Sequence, residues 1–169
     1  VMPPIRTKND IQSVWVAIQN NEIDTIGTDH VANQLKLKLG GDDVWSALAG
    51  FPGIGTSLPI LLSEGINKNK INLNQLVNLT STNASKIFGL SSKGHLAIGY
   101  DADITMINLK KEAKVSPELF GGFSDYLVYD GWNLKGWPIK TIVRGTVVAE
   151  NFEVIGKPGY GNIVPRELS

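Results

Sequence analysis

The sequence contains no cysteine and only 2 histidines among its 169 residues. The absence of cysteine excludes a disulfide framework and a thiolate-based catalytic or metal site. Two histidines are too few for the nitrogen-rich ligand set of most catalytic zinc sites. A conspicuous carboxylate in this chain is therefore either a structural residue or one part of a site whose other parts lie elsewhere.

Neither sign of charge is in excess, because 16 Lys and Arg residues balance 16 Asp and Glu residues. This balance favours neither a nucleic acid nor an anionic membrane as a partner. No apolar run approaches the length of a membrane span, and no signal-peptide pattern is present. The hydrophobic content of 42% is enough for a core in one domain or two small ones. We therefore expect a cytoplasmic enzyme or binding domain.

The first residues read as the middle of a longer polypeptide. The chain opens on Val1 without an initiator Met, and Pro3 and Pro4 follow an apolar start. Consecutive prolines enforce an extended or turning backbone. We therefore expect this chain to be a fragment.

Helical patterns dominate the first half of the chain. An apolar stripe from Ile11 to Ile18 predicts a helix over residues 9–19, capped by Asn9 or Asp10. The glycine-punctuated stretch 31–55 predicts a long irregular loop.

Three more helix starts follow that loop. Ser57 is predicted to cap one helix, and Asn72 with Gln75 forms a capping-box pattern for the next. Residues 81–83 are predicted to cap a last short helix that Gly89 closes.

The pattern changes near residue 90 from helical to β-prone. Residues 102–109 predict a strand, and residues 139–149 predict a hairpin that turns at Arg144-Gly145. We therefore divide the chain into an α/β part, 1–90, and an all-β part, 91–169.

The stretch 24–30 is the strongest candidate for a site. A short strand is predicted around residues 24–28, where a β-prone run meets Gly27, and Thr28, Asp29 and His30 follow at once. Buried parallel strands of α/β folds end in this way, where catalytic loops start. The Asp29 carboxylate could bind a metal or move a proton. Taken alone, however, an Asp-His pair at a strand end is more often a cap or a hydrogen-bonding pair.

Other conspicuous side chains have structural interpretations. His95 lies in a glycine-flanked turn and is expected at the surface, while Asp101 and Asp103 are expected to make turn or capping bonds. Trp15 and Trp45 are expected to pack against apolar neighbours.

A series of motifs in fixed order carries a family resemblance. In chain order these are Val1 to Arg6, Gly27-Thr28-Asp29-His30, Ser63-Glu64-Gly65, Leu73-Asn74-Gln75, residues 81–90, Gly94 to Asp103, Gly131-Trp132, Gly136-Trp137-Pro138, Val143-Arg144-Gly145 and residues 156–161. The chain resembles the C-terminal part of the cyclic amidohydrolases, in the hydantoinase and dihydropyrimidinase group. Dihydroorotase and allantoinase are more distant relatives.

The resemblance implies a fold and a metal centre. Residues 1–90 would be the last strands, seven and eight, and the following helices of a TIM barrel, and residues 91–169 would be the C-terminal part of a small β-sandwich. The family implies a binuclear centre, usually zinc, whose ligands include a carboxylated lysine outside this chain. By resemblance Asp29, after strand eight, is a metal ligand and the general base.

The resemblance also implies how a small cyclic amide would be held. Backbone groups at Met2 and Ala49 would bind the ring, and His30 would shape the site. The partners implied are the missing N-terminal part and further copies, as a dimer or tetramer. The isolated fragment is expected to be inactive.

Two alternatives to this reading stay open. One is allantoinase or dihydroorotase activity, although Asn33 stands where dihydroorotases carry a histidine. The other is a non-catalytic, dihydropyrimidinase-like scaffold protein that lacks the metals.

Overall fold

The computed structural model describes residues 4–41 and 43–167, which form helices in the first half and strands in the second. The helical elements are α1 (Lys8–Gln19), α2 (Leu35–Leu39), a 3₁₀ turn (Val44–Ser46), α3 (Ile54–Ile60), a π-helical segment that continues it (Leu61–Ile66), α4 (Leu73–Val77), a second π-helical segment (Asn78–Thr82), α5 (Asn83–Ile87) and a 3₁₀ turn (Pro117–Phe120). The strands are β1 (Ile104–Lys114), β2 (Asn133–Val143), β3 (Thr146–Glu150) and β4 (Glu153–Val154).

Helix α1 begins at Lys8, one residue before the predicted start, with Thr7 as its N-cap in place of Asn9 or Asp10. The Asp10 carboxylate accepts a hydrogen bond from the Thr7 backbone N–H at 2.8 Å, and the Thr7 hydroxyl accepts one from the Asp10 N–H at 3.4 Å. This reciprocal pair is a capping box, in which an acidic residue three positions into the helix closes the pattern. Asp10 thus belongs to the first turn and does not cap it.

Helix α3 also begins earlier than predicted, at Ile54, with Gly53 as its N-cap. Ser57 lies inside the helix, so its expected role as the cap is wrong. Gly53 has no side chain that could satisfy the first N–H groups, and the acceptor comes from His30, 23 residues earlier. A cap supplied from so far away leaves no local sequence signal.

The chain from Leu73 to Ile87 is helical throughout. The capping box at Asn72 is confirmed, since Gln75 N–H donates to the Asn72 side chain at 2.9 Å and the Gln75 side chain accepts from Asn72 N–H at 3.1 Å. Residues 81–83 do not start a new helix. Asn83 instead donates from Nδ2 to the Asp24 carbonyl at 2.9 Å, which fastens the stretch before Asp29 to this helical run.

The predicted strand over residues 24–28 is absent, because residues 22–29 form no regular element. A strand requires a ladder of backbone partners. In the described part of the chain, Ile26 N–H donates to a helical carbonyl, that of Leu79, at 3.1 Å. The stretch pairs with another loop only at its end, through a parallel bridge between His30 and Phe51.

The predicted irregular loop over 31–55 contains two short helical elements, α2 and the 3₁₀ turn Val44–Ser46. The carboxylate of Asp125, 90 residues away, accepts a hydrogen bond from the first N–H of α2, at Leu35, at 2.7 Å. Asp43 accepts two bonds at the start of the 3₁₀ turn, at 2.8 and 3.1 Å. A cap from a distant segment again explains why the local sequence did not indicate α2.

The β-rich second half forms one antiparallel sheet in the order β1-β2-β3-β4. The predicted hairpin is confirmed: β2 and β3 turn at Arg144, with a φ of 45°, and Gly145, with a φ of 79°. Positive φ at both central residues is the conformation of the type I′ turn, whose twist matches the twist of paired strands. The predicted strand over 102–109 is confirmed as β1, which is longer at its C-terminal end.

Two apolar clusters hold the helices and the sheet together. One consists of six buried residues from the helical half: Ile18, Leu61, Leu62, Ile71, Leu76 and Leu79. The other consists of Val115, Leu134 and Trp137 from the β-rich half. Ile107 and Leu109 of β1 pack against the first cluster, so the sheet covers the helices.

Individual tryptophans differ in their burial. Trp15 packs against the first cluster as expected. Trp45 is 92% exposed, so the expectation that it packs in the interior is wrong. No helix within the described ranges has the length and apolar character needed to cross a membrane.

Candidate functional site

Asp29 lies at the end of the irregular stretch 22–29, with its side chain exposed to solvent. Its φ is 46°, a left-handed conformation that is uncommon for residues other than glycine, asparagine and aspartate. Within residues 4–41 and 43–167 its carboxylate accepts no hydrogen bond and forms no ion pair. An exposed carboxylate in this state can take up a cation or a proton.

His30 points its ring at the start of helix α3. Its Nδ1 atom accepts a hydrogen bond from the Gly53 N–H at 3.0 Å and a longer one from the Ile54 N–H at 3.4 Å. An imidazole nitrogen that accepts carries no proton, so the neutral ring holds its proton on Nε2. The Nδ1 atom thus accepts hydrogen bonds from the backbone of the segment 49–54, which we call the glycine-rich loop.

The loop that carries Ala49 lies directly beside the Asp29-His30 pair. The Phe51 carbonyl accepts a hydrogen bond from the Val31 N–H at 3.1 Å, next to the His30–Phe51 bridge. Ala49 itself is exposed, two residues before Phe51. Of the four site residues that the sequence analysis named, the structure therefore brings Asp29, His30 and the Ala49 segment together, and Met2 lies outside the described residues.

The described residues contain no group of three or more His, Asp or Glu side chains that could hold a metal ion by themselves. Asp29 can supply one hard oxygen ligand of the type that divalent cations accept. The donor chemistry of this residue thus fits a metal centre of which it would provide one ligand. It also fits a proton-transfer role for the same carboxylate.

A second polar cluster joins Lys93 to Asp101 and Asp103. The Lys93 ammonium lies 2.9 Å from the Asp101 carboxylate and also pairs with Asp103. The Asp103 carboxylate accepts the Arg144 N–H at 2.8 Å, and Asp101 accepts the Ser92 hydroxyl at 2.8 Å. The Asp103 carboxylate thus braces the β2–β3 turn, and Asp101 ties the segment before β1 to Ser92 and Lys93. The expected structural roles of the two aspartates are confirmed. Lys93, which joins the two aspartates, was not among the residues predicted for a site.

The ion pairs shift the pKa values of all three groups. The pKa of Asp103 lies below its usual 3.8, mainly because it accepts a hydrogen bond from Lys93. The pKa of Asp101 is lowered first by Lys93 and then by Ser92. The pKa of Lys93 is raised above 10.5 by its bonds to Asp103 and Asp101. All three groups are therefore charged near neutral pH and act as a fixed clamp.

The sequence profile of the Amidohydrolase family matches residues 6–148. The chain belongs to the amidohydrolase family. This confirms the family resemblance carried by the ordered motifs.

His95, which lies in one of those motifs, is exposed and packs edge-on against Tyr100 with ring centroids 5.3 Å apart, as expected of a surface loop.

Two curated amidohydrolases illustrate how far the similarity extends. The L-hydantoinase of Paenarthrobacter aurescens is 39% identical over 168 residues, which are 98% of this chain and 37% of that protein. The dihydroorotase of Methanosphaera stadtmanae is 40% identical over 153 residues, which are 90% of this chain and 34% of that protein. The chain thus spans a little over a third of the length of these relatives.

Solved hydantoinase structures have the same fold as this amidohydrolase chain. The L-hydantoinase (dihydropyrimidinase) from Arthrobacter aurescens superposes with a TM-score of 0.92 at 39% identity, over 98% of this chain and 37% of that one. A D-hydantoinase from Thermus sp. superposes with a TM-score of 0.91 at 31% identity, over 98% of this chain and 36% of that one. The mixed α/β arrangement is therefore also found within a little over a third of each of these hydantoinase chains.

Proposed function

We propose that this chain is the C-terminal part of a metal-dependent hydrolase that opens cyclic amide rings of the hydantoin or dihydropyrimidine type. The observation that carries the proposal is the match to an L-hydantoinase over 98% of the chain, both in sequence and in fold. The exposed carboxylate of Asp29, beside the loop that carries Ala49, supports the proposal. The proposal makes residues 1–90 the end of a TIM barrel and residues 91–169 part of a β-sandwich.

In this proposal the preceding part of the polypeptide supplies the other metal ligands, including a carboxylated lysine, and Asp29 completes a binuclear zinc centre. Such a centre supplies Lewis acidity, which makes hydroxide available near neutral pH and polarises an amide carbonyl. The Asp29 carboxylate is exposed and therefore accessible to such a centre.

Asp29 would also move the proton that ring opening requires. Attack of water on the ring carbonyl forms a new C–O bond and breaks the C–N bond. The Asp29 carboxylate would accept the proton of the attacking water and donate it to the departing nitrogen, so one group acts first as base and then as acid. Backbone groups at Met2 and Ala49 would hold the ring. A soluble cytoplasmic homo-oligomer is the assembly that this proposal implies.

The experiment uses the full-length, metal-loaded polypeptide and compares Asp29→Asn with Asp24→Asn. Asp24 is an exposed acidic residue of the same stretch, and its backbone carbonyl makes the bond to Asn83, so this control leaves the bond intact. We expect Asp29→Asn to lower kcat on hydantoin or dihydrouracil by about 10²–10⁴-fold, the usual contribution of a general base. Metal content measured by mass spectrometry should fall in the same variant. Asp24→Asn should retain both.

A second candidate is dihydroorotase activity, favoured by the 40% identity to the dihydroorotase of Methanosphaera stadtmanae. The same assay decides between the two when dihydroorotate and allantoin are added to the substrates. Full-length protein that binds no metal and hydrolyses none of the four compounds would refute the enzymatic proposal. The non-catalytic scaffold would then be the remaining reading.

A further inference from the structure

We propose that His30 is a positioning residue that fixes the Ala49 backbone relative to the Asp29 carboxylate, so that the cyclic amide is held in line with the reacting groups. This inference rests on the proposed function. It adds a role for a side chain whose ring does not itself need to touch the substrate or the metal.

Three hydrogen bonds join the glycine-rich loop to His30 and Val31, the two residues that follow Asp29. The His30 Nδ1 atom accepts N–H groups from Gly53 at 3.0 Å and Ile54 at 3.4 Å. The third bond runs from Val31 N–H to the Phe51 carbonyl at 3.1 Å. Because the bonds lie on both sides of Pro52, the loop cannot rotate about any one of them.

Close packing further restrains this loop. Gly50 has a φ of 78°, and a Cβ at that position would lie 2.3 Å from the Val31 Cγ2. The backbone of Gly50 therefore rests directly on the Val31 side chain. Gly50 and Gly53 are buried, whereas Ala49 and Asp29 are exposed at either end of the contact. This buried contact thus connects two exposed residues: Ala49, to which the proposed function assigns the substrate, and Asp29, to which it assigns the metal.

A conventional side-chain cap of helix α3 would not make these bonds. A Ser, Thr or Asp at position 53 would accept from N–H groups two or three positions into the helix, whereas His30 accepts from those of Gly53 and Ile54. Here the acceptor comes from the residue that directly follows Asp29, so displacement of the loop and displacement of Asp29 are coupled. Misplacement of a binding group by about 1 Å is enough to reduce catalysis by about 10²-fold.

The test compares three substitutions of His30 in the full-length, metal-loaded polypeptide. His30→Asn places an oxygen acceptor near the position of Nδ1, His30→Gln moves the acceptor towards the position of Nε2, and His30→Leu has a similar volume without an acceptor. Asn72→Ala is the matched control, because it removes the cap of α4, whose two bonds lie in another part of the chain.

We expect His30→Leu and His30→Gln to raise KM about tenfold, because a loop that keeps its Val31–Phe51 bond should move by less than the roughly 1 Å that costs about 10²-fold. Metal content should be unchanged, kcat should change much less, and His30→Asn should restore most of the wild-type KM. Hydrogen exchange of the peptide 50–56 should be faster in the Leu and Gln variants and close to wild type in the Asn variant. Asn72→Ala should lower the melting temperature without a change in KM.

Four results would overturn the inference, the last of them together with the proposed function. An active wild type with an unchanged KM in His30→Leu would reduce His30 to a helix cap, and loss of metal in His30→Leu would make it a ligand. Equal damage in the Leu and Asn variants would show that the Nδ1 acceptor is not what matters. A wild type that is inactive on every cyclic amide refutes the proposed function itself, and the positioning role with it.

Discussion

Replacement of Gly136 by alanine is a sharp test of how the sheet meets the helices. Gly136 lies in β2 with a φ of 99°, and its backbone rests on the π-helical segment Leu61–Ile66. A Cβ at this position would lie 2.7 Å from the Leu62 Cβ and 3.1 Å from the Asn67 Nδ2. Leu62 is fully buried in the first apolar cluster, so any shift of this residue would disturb its core neighbours.

The expected loss of stability has three parts. Carbon atoms in contact lie about 3.5–4.0 Å apart, so the sheet and helix would have to separate by roughly 1 Å, and such overpacking costs about 1–3 kcal/mol. A non-glycine residue at this φ costs about 1–2 kcal/mol more. The smaller backbone entropy of alanine in the unfolded chain offsets about 0.4–1 kcal/mol. We expect Gly136→Ala to lower the free energy of unfolding by about 2–4 kcal/mol.

Equilibrium chemical denaturation measures this loss, and two other glycines separate its causes. Gly145 has a φ of 79° with nothing within 4 Å of an added Cβ, so Gly145→Ala should show only the backbone cost, about 1 kcal/mol. Gly122 has neither a positive φ nor a neighbour within 4 Å, and Gly122→Ala should change stability by less than about 0.5 kcal/mol. Equal losses in Gly136→Ala and Gly145→Ala would refute the argument from close approach.

Two further substitutions test the core and the ionic clamp. Trp137 is fully buried between Phe120 and Phe152 and donates from Nε1 to the Leu134 carbonyl at 2.9 Å. Trp137→Ala should therefore lower the free energy of unfolding by about 3–5 kcal/mol in denaturant titrations. A loss below about 1 kcal/mol would contradict a role of Trp137 in the core. The lowered pKa of Asp103 means that its contribution is complete above its ordinary value of 3.8 and is lost as the pH falls through the folded-state value. Melting temperatures should therefore separate wild type from Asp103→Asn at neutral pH and converge in acid, and a constant difference down to pH 2 would argue against the clamp.

Local sequence patterns predicted the elements whose signals lie within a few residues of each other. The pattern of the hairpin over 139–149 is local, since two β-prone runs are separated by Arg144-Gly145, and the structure has positive φ at both of these residues. The capping box of Asn72 and Gln75 was predicted for the same reason, since both partners lie within one turn. The start of α1 was misplaced because the Thr7–Asp10 box was overlooked, although it lies within reach of the same rule.

The errors at the site have a different cause. The start of α3 and the existence of α2 depend on acceptors at His30 and Asp125, which lie 23 and 90 residues away from the N–H groups they satisfy. The strand predicted over 24–28 has the composition of a strand, but a strand forms only where a neighbouring strand accepts its hydrogen bonds. Neither kind of partner is visible in a local window of sequence.

The sequence by itself determined the family, the order of helices before strands, and Asp29 as the candidate carboxylate. Motif order and periodicity are properties of the chain, so they need no coordinates. Only the tertiary structure placed the Ala49 loop beside Asp29 and aimed the His30 Nδ1 atom at Gly53. Contacts between segments 20 residues apart depend on how the chain packs, because the bonds that fix them are made by groups with no fixed spacing in the sequence.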